Sequence, residues 1–398
     1  MILSHFCKTL ITLSAISLGT ATFAQTSDNQ FFFTCQPYLQ STGEGEITVV
    51  WGTNDKAVSW VEIAPDDGTH FYSEERPKYF DTNFGRKRVG TLHRVRINNL
   101  TPGATYRYRI YSQEVTKEED RDTRYGRVIA NKVYQAEPYR MRVPDLGKDA
   151  VHFAMVNDIH QRPDLLRDLY NQLDSASMDF IVFNGDMVNK MDSIAMMYDT
   201  MLNPASDLFA RTTPFYMTRG NHETRGNGSE AFTTLFPTST GMPFYSFTAG
   251  PVRFIVLDAG EDKPDNDIEY CGLADFDRYR TEEVDWLRRE VEAPEWKNAK
   301  YRIVLIHVPL RPGGWHGEID LAEKFLPVLN NADVDIMLSG HYHTHDYFEK
   351  GTEGRNFPLF INSDRHLLDI NADQESLTLK ATDREGKSVK TVRLSPKN

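Results

Sequence analysis

The sequence predicts an all-β sandwich followed by an α/β domain, on three observations. From about residue 36 to 143, short runs alternate apolar and polar positions between turn-forming stretches. From about residue 150, apolar strand-like runs alternate with segments of helical spacing. Within that second part, five short hydrophobic segments each lead directly into a polar turn carrying carboxylates, imidazoles or an amide.

In the first part the alternating runs are residues 47–51, 58–63, 92–97 and 106–111. Period-two patterning of this kind places one face of each strand in a core and the other in water, as in an antiparallel sandwich. The stretch Leu100-Thr101-Pro102-Gly103-Ala104-Thr105-Tyr106 puts a tyrosine at the head of a strand just after a turn, the arrangement of a tyrosine corner. Residues 113–126 are densely charged and read as a solvated hairpin or loop.

In the second part, the run 151–156 is followed by Leu165, Leu166, Leu169, Tyr170 and Leu173 on one helical face. Strands are expected at 180–183, 214–217, 252–257, 301–306 and 334–338. Helices are expected over 191–203 and around Val284, Leu287 and Val291. Strands separated by helices imply βαβ units with helices packed on a sheet. After Phe357 the pattern returns to strands, including 360–361 and 376–379, so antiparallel strands should close the sheet.

A length of 398 residues leaves room for two domains, and 40% apolar with 26% charged residues excludes a disordered chain or a coiled coil. The formal charge of −12 is spread along the chain, so no large basic face points to nucleic acid or anionic lipid. Residues 1–24 read as a secretory signal peptide: Lys8 precedes an apolar run at 10–18, and Ala21-Thr22-Phe23-Ala24 supplies a cleavage site after Ala24. The run is shorter than the roughly 20 apolar residues of a membrane span. Cys7 precedes it, which disfavours a lipid anchor there. The mature chain is therefore expected to be exported, periplasmic or extracellular, with a sandwich domain at 25–145 and an α/β domain at 146–398. Beyond the leader only Cys35 and Cys271 remain, and two buried thiols are favoured over a bridge.

The five polar turns are Asp158-Ile159-His160, Gly185-Asp186, Gly220-Asn221-His222-Glu223, His307 and Gly340-His341-Tyr342-His343. In open α/β sheets, ligands gather where loops leave the carboxyl ends of the strands. One histidine after an apolar run is more often structural; five coincidences in one domain reverse that weighting. Carboxylates, imidazoles and an amide oxygen without cysteine suit Mn, Fe or Zn in an open site rather than a structural zinc knot. The groups are too many for one ion, and a carboxylate can bridge two. Two ions about 3.5–4 Å apart clamp the attacking and leaving oxygens of a phosphoryl displacement.

Taken together, the five motifs resemble the calcineurin-like metallophosphoesterase signature over roughly residues 150–365. The first domain, with its opening Gln36-Pro37-Tyr38-Leu39-Gln40, resembles the fibronectin III-like N-terminal module of purple-acid-phosphatase-type enzymes. The resemblance implies a four-layer αββα metallophosphoesterase sandwich preceded by an all-β fibronectin III-like sandwich. It implies that Asp158, His160, Asp186 and His343 hold one divalent ion. It assigns Asp186, Asn221, His307 and His341 to the other, with Asp186 as the bridge and a bridging hydroxide as nucleophile. It leaves His222 as the catalytic imidazole over the phosphate and Glu223 as a group that orients His222, lies behind the ligands, or is solvated at the turn. One departure matters: the position of the purple acid phosphatase tyrosinate, three beyond the bridging aspartate, is Asn189. A divalent pair is therefore expected, without a purple colour.

Substrate contacts are less determined by sequence. Arg311 and His316, in the loop 311–317, are candidates for phosphate or leaving group, and residues 261–280 for a rim or lid. Arg219 reads as a structural ion pair at least as readily as a phosphate contact. The expected activity is hydrolysis of phosphomonoesters, small-molecule or nucleotide. The alternatives are a phosphodiesterase or nucleotidase at the same site, and a catalytically silent cell-surface binding protein.

Overall fold

The computed structural model describes residues 30–132 and 135–397. The predicted leader lies outside the described residues. Among them, no helix is long and apolar enough to cross a membrane.

The first domain is built around one 20-residue strand, Glu46–Pro65, which joins the two predicted runs 47–51 and 58–63. Its first half pairs antiparallel with Phe33–Gly43 and Gly90–Ile97; its second half pairs with Thr105–Glu119 and Lys78–Phe80. The change of partners coincides with a register jump between Gly52 and Ala57. One strand thus serves both layers of a sandwich by bending at an irregularity, as strands that switch sheets do. Leu39, Ile47, Val49, Trp51, Val61, Val95, Tyr108 and Ile110 fill the space between the layers, each full burial contributing about 1.5–3 kcal/mol. The tyrosine corner is present: the Thr101 backbone N–H donates to Tyr106 Oη at 3.1 Å. The charged stretch forms the hairpin of Thr105–Glu119 with Asp122–Ala130, its tip exposed.

The second domain has two six-stranded sheets. The first runs Phe215–Thr218, Phe180–Asn184, Val151–Val156, Leu367–Ala372, Leu377–Thr382, Ser388–Leu394. Its first three strands are parallel and the last three are added antiparallel. The second runs Tyr245–Ala249, Val252–Val256, Tyr301–Leu305, Ile336–Ser339, Leu359–Ile361, Asp346–Phe348, with the middle four parallel. Phe153, Phe180, Phe254, Ile303, Leu338 and Leu368 pack between the sheets. The helices Phe276–Glu290 and His316–Leu329 cover the outer face of the second sheet. The helix Pro163–Tyr170 and the helical stretch from Ile194 to Ala210 cover the first. The layering is αββα.

Several elements differ from the sequence reading. Residues 359–361 pair parallel with Ile336–Ser339 rather than joining the antiparallel tail, which belongs to the other sheet. Leu173 lies beyond the end of its helix, which stops at Tyr170. The helix expected over 191–203 starts at Ile194, where Ser193 caps it by accepting from the Met196 N–H, and continues to Ala210 through two π-helical segments. That stretch carries the first domain: Ser206 Oγ donates to the Pro37 carbonyl at 2.8 Å, Asn203 bonds Gln36 and Thr34, and Tyr38 Oη donates to the Leu235 carbonyl at 2.7 Å. Cys35 is a buried free thiol at this junction, whereas Cys271, expected buried, is exposed and free because it lies on a surface turn.

Candidate metal centre

Each polar turn leaves the carboxyl end of a strand, and backbone hydrogen bonds stitch the turns together. Asp158 N–H donates to the Gly185 carbonyl, His160 N–H to Asp186, and Gly340 N–H to His307, all at 3.0 Å. Five of the seven predicted metal residues, Asp158, His160, Asp186, His341 and His343, sit at positive φ between 47° and 76°. A non-glycine residue there costs about 1–3 kcal/mol, and such strain collects where a site requires it. Gly185 (φ 85°) allows the close approach: a Cβ on it would lie 2.4 Å from the His307 ring.

The two aspartates divide their oxygens in the same way. Asp158 Oδ2 accepts from Asn157 Nδ2 at 2.7 Å and from the His341 backbone N–H at 2.9 Å. Its Oδ1 is buried without a hydrogen-bond partner, facing His343 Nε2 at 3.2 Å, His160 Nε2 at 3.6 Å and His307 Nε2 at 3.8 Å. Asp186 Oδ1 accepts from the His222 backbone N–H at 2.9 Å. Its Oδ2 faces His307 Nε2 at 3.0 Å, His222 Nε2 at 3.8 Å and His160 Nε2 at 4.0 Å. One oxygen of each carboxylate holds the scaffold and the other turns inward.

The imidazoles are set by their outer nitrogens. His307 Nδ1 lies 2.7 Å from the Asn184 carbonyl, so it carries a proton, and Nε2, buried without a hydrogen-bond partner, points inward. Burial works against charge on His307, but Asp186 and Asp158 outweigh it and hold the imidazole up at about 10. The two carboxylates thus favour a positive charge at this Nε2, either a proton or a cation that takes the proton's place. His341 directs Nε2 outward toward Asp262 (3.6 Å) and Glu318 (3.8 Å); burial, with His307 beside it, lowers it to about 4. The Asn221 amide end nearest the cluster has two acceptors in front of it, His341 Nδ1 and Asp186 Oδ2, each at 3.2 Å. Either its NH2 or a cation held by its oxygen meets them both.

The potential donors fall into three groups whose ligand atoms lie within 4.8 Å of one another: Asp158, His160, His343; Asp186, His307, His341; and His160, Asp186, His222. Asp186 belongs to two of them. Unpartnered buried Asp158 Oδ1 and His307 Nε2, with no thiolate near, fit a pair of borderline divalent ions.

His222 stands at the edge of this cluster. Its Nδ1 donates to the Asn189 carbonyl at 2.5 Å, leaving Nε2 toward the site, and burial lowers its pKa. Glu223 is neither solvated nor an orienter of the His222 ring. It is fully buried and accepts from the backbone N–H groups of Asp186 (2.8 Å), Met187 (2.8 Å), Val188 (3.3 Å) and Gly220 (2.9 Å). It therefore ties the third polar turn to the second. Burial and Asp186 push its carboxyl up to about 7 against the pull of those donors.

The other sequence candidates are engaged elsewhere. Arg219 forks onto Asp258 (3.1 and 2.5 Å), as an internal ion pair. Arg311 pairs with Glu353 and lies over the Tyr342 ring, and His316 pairs with Asp277 at 2.9 Å. Sequence reasoning missed Arg225, Glu261, Asp262 and Glu318. Glu261 and Asp262 follow the strand Val252–Val256 as a sixth polar turn, the signal that would have found them.

An αββα frame with imidazoles and carboxylates converging at its strand ends defines a metal-dependent phosphoesterase. The family model "Calcineurin-like phosphoesterase" matches residues 151–345, and "Purple acid Phosphatase, N-terminal domain" matches residues 34–124. The chain thus carries a calcineurin-like phosphoesterase domain and, in front of it, the N-terminal domain of the purple acid phosphatases. Purple acid phosphatase 18 of Arabidopsis thaliana is 22% identical over 341 residues, covering 81% of this chain and 68% of the relative. Purple acid phosphatase 21 of the same plant is 22% identical, covering 80% and 67%. The solved purple acid phosphatase PPD1 from yellow lupin (Lupinus luteus) seeds shares the fold, with a TM-score of 0.63 at 15% identity over 90% of this chain and 74% of that one.

Proposed function

We propose that this chain is an exported phosphomonoesterase that works with two divalent ions. The observation that carries the reading is the inward set of ligand atoms: Asp158 Oδ1 and His307 Nε2 are buried without a hydrogen-bond partner, 3.8 Å apart, and Asp186 Oδ2 lies 3.0 Å from the same Nε2. In the proposed assignment Asp158, His160, Asp186 and His343 hold one ion and Asp186, Asn221, His307 and His341 the other. Such a pair, when bound, activates a water and neutralises phosphate charge.

The rest of the chemistry belongs to the chain. Asn157 and the His341 N–H fix Asp158, the His222 N–H fixes Asp186, and Glu223 holds the loop that presents Asp186. His222, held through Nδ1 on the Asn189 carbonyl with Nε2 toward the site, would meet the phosphoryl group or the leaving oxygen as a donor once Nε2 takes up a proton, a contribution of about 10²–10⁴ in rate. Asn189, where a tyrosinate would stand, donates from its side chain to Gln161 Oε1 at 2.6 Å, which favours a divalent pair over a ferric one.

The names of the relatives support phosphate ester hydrolysis. The test is a panel of phosphomonoesters, diesters and nucleotides offered to protein reconstituted separately with Mn, Fe and Zn, with ion content measured in parallel. Two ions per chain and preferential monoester turnover are expected. Fewer than one ion and no turnover of activated esters would remove the enzyme reading; preference for diesters would replace the monoesterase by a diesterase.

A further inference from the structure

The proposed ligands and His222 leave one guanidinium at the centre without a role. Arg225 lies in the same turn as Asn221 and His222, its side chain 11% exposed. Its Nε and Nη2 fork onto Glu261, each at 2.7 Å, and Nη2 also reaches Asp262 Oδ1 at 3.3 Å. Nη1 lies 3.3 Å from His222 Nε2. Because His222 Nδ1 donates to Asn189, Nε2 is the acceptor and Arg225 the donor. Nη2 also lies 2.9 Å from the outer end of the Asn221 amide. A guanidinium has five N–H groups; with Nε and Nη2 so engaged, what remains is the second N–H of Nη1, beside the imidazole that faces the cluster.

The fork is itself braced. Tyr270 Oη donates to Glu261 Oε2 at 2.6 Å and lies 2.5 Å from Thr224 Oγ1, so residues from the segment 261–270 clasp the turn that carries Asn221 and His222. Glu261 offsets the charge of Arg225, so what the arrangement offers a ligand is a directed donor on a rigid plane. The other candidate cations offer none, since Arg219, Arg311 and His316 are paired with Asp258, Glu353 and Asp277.

A phosphate monoester has three unesterified oxygens and a diester two. A fixed donor for the third oxygen therefore separates the two classes, because a site built to hydrogen-bond a group rejects the analogue lacking it. Resting on the two-ion reading above, we propose that Arg225 binds the third unesterified oxygen of a phosphate monoester, and that Glu261 and Tyr270 position it.

The test uses the full metal-loaded chain, with inorganic phosphate as the binding probe and one aryl phosphate monoester and one aryl diester as substrates. Arg225→Gln is expected to keep both ions and to weaken phosphate binding about 10- to 100-fold, the worth of one charged hydrogen bond. Monoester kcat/KM should fall by a similar factor and diester kcat/KM by less than about threefold. Glu261→Gln, which loosens the fork, should raise the monoester KM more than it lowers kcat. Unchanged phosphate affinity in Arg225→Gln, or equal losses on both ester classes, overturns the proposal. Loss of ions in both Arg225→Gln and Arg225→Lys overturns it too, by making Arg225 structural. Wild-type protein that binds phosphate through Arg225 yet turns over no monoester overturns the activity reading and leaves the binding assignment standing.

Discussion

His307 presents Nε2 to Asp186 Oδ2 at 3.0 Å while its Nδ1 is committed to the Asn184 carbonyl at 2.7 Å. The pair is buried, and a proton on Nε2 or a cation in its place must lie between the carboxylate and the imidazole. Asp186→Asn should therefore leave less than one ion per chain after reconstitution. Wild-type protein should gain about 2.7 kcal/mol of stability when Mn or Zn is present at a hundred times its dissociation constant, and the variant much less. Melting curves with and without chelator, alongside elemental analysis, measure both. Two ions retained in Asp186→Asn would take the bridging role away from Asp186.

His222 belongs to a donor group with Asp186 and His160, so geometry alone admits it as a ligand. What separates it is its angle of service: Nε2 is 3.8 Å from Asp186 Oδ2 and shares its lone pair with Arg225. His222→Ala is expected to keep both ions and lose about 10²-fold or more in turnover. An equal loss of metal would move His222 into the ligand set.

Glu223 supports the centre without facing it. Four backbone N–H groups point at its two oxygens, so Glu223→Gln turns an NH2 toward donors and removes the charge they favour. Stability should fall by about 2–3 kcal/mol, and Asp186 should lose its alignment. Denaturant midpoints and metal affinity report the two effects separately; a neutral substitution on both would show that the turns hold without it.

The metal turns were legible because each is local: a short apolar run, then one to three polar side chains. The same holds for the tyrosine corner, five residues from Thr101 to Tyr106. Glu223 was not legible, since three of its four partners lie about 35 residues earlier and only tertiary contact brings them within reach. The single strand Glu46–Pro65 was read as two because residues 52–56 have turn composition; pairing to different strands on either side keeps the chain extended through the bend. Arg225 and Glu261 likewise acquire meaning from each other, across 36 positions.

His93 gives the first domain a pH dependence that is independent of the centre. It is buried, with Nε2 2.8 Å from Thr53 Oγ1 and its ring 5.5 Å from that of Trp51. Burial, aided by Arg88, lowers its pKa from 6.5 to about 3. Below pH 6.5 the unfolded chain takes up a proton that the folded chain refuses, so this contribution is fully present above 6.5 and is lost as pH falls toward 3. At about 1.4 kcal/mol per pH unit, lowering pH from 7 to 5 should cost about 2 kcal/mol through His93 alone. Unfolding curves at the two pH values, compared with those of His93→Gln, isolate it. The variant should lose correspondingly less stability over that interval, and an identical pH dependence in both proteins would show that His93 is protonated in the folded chain.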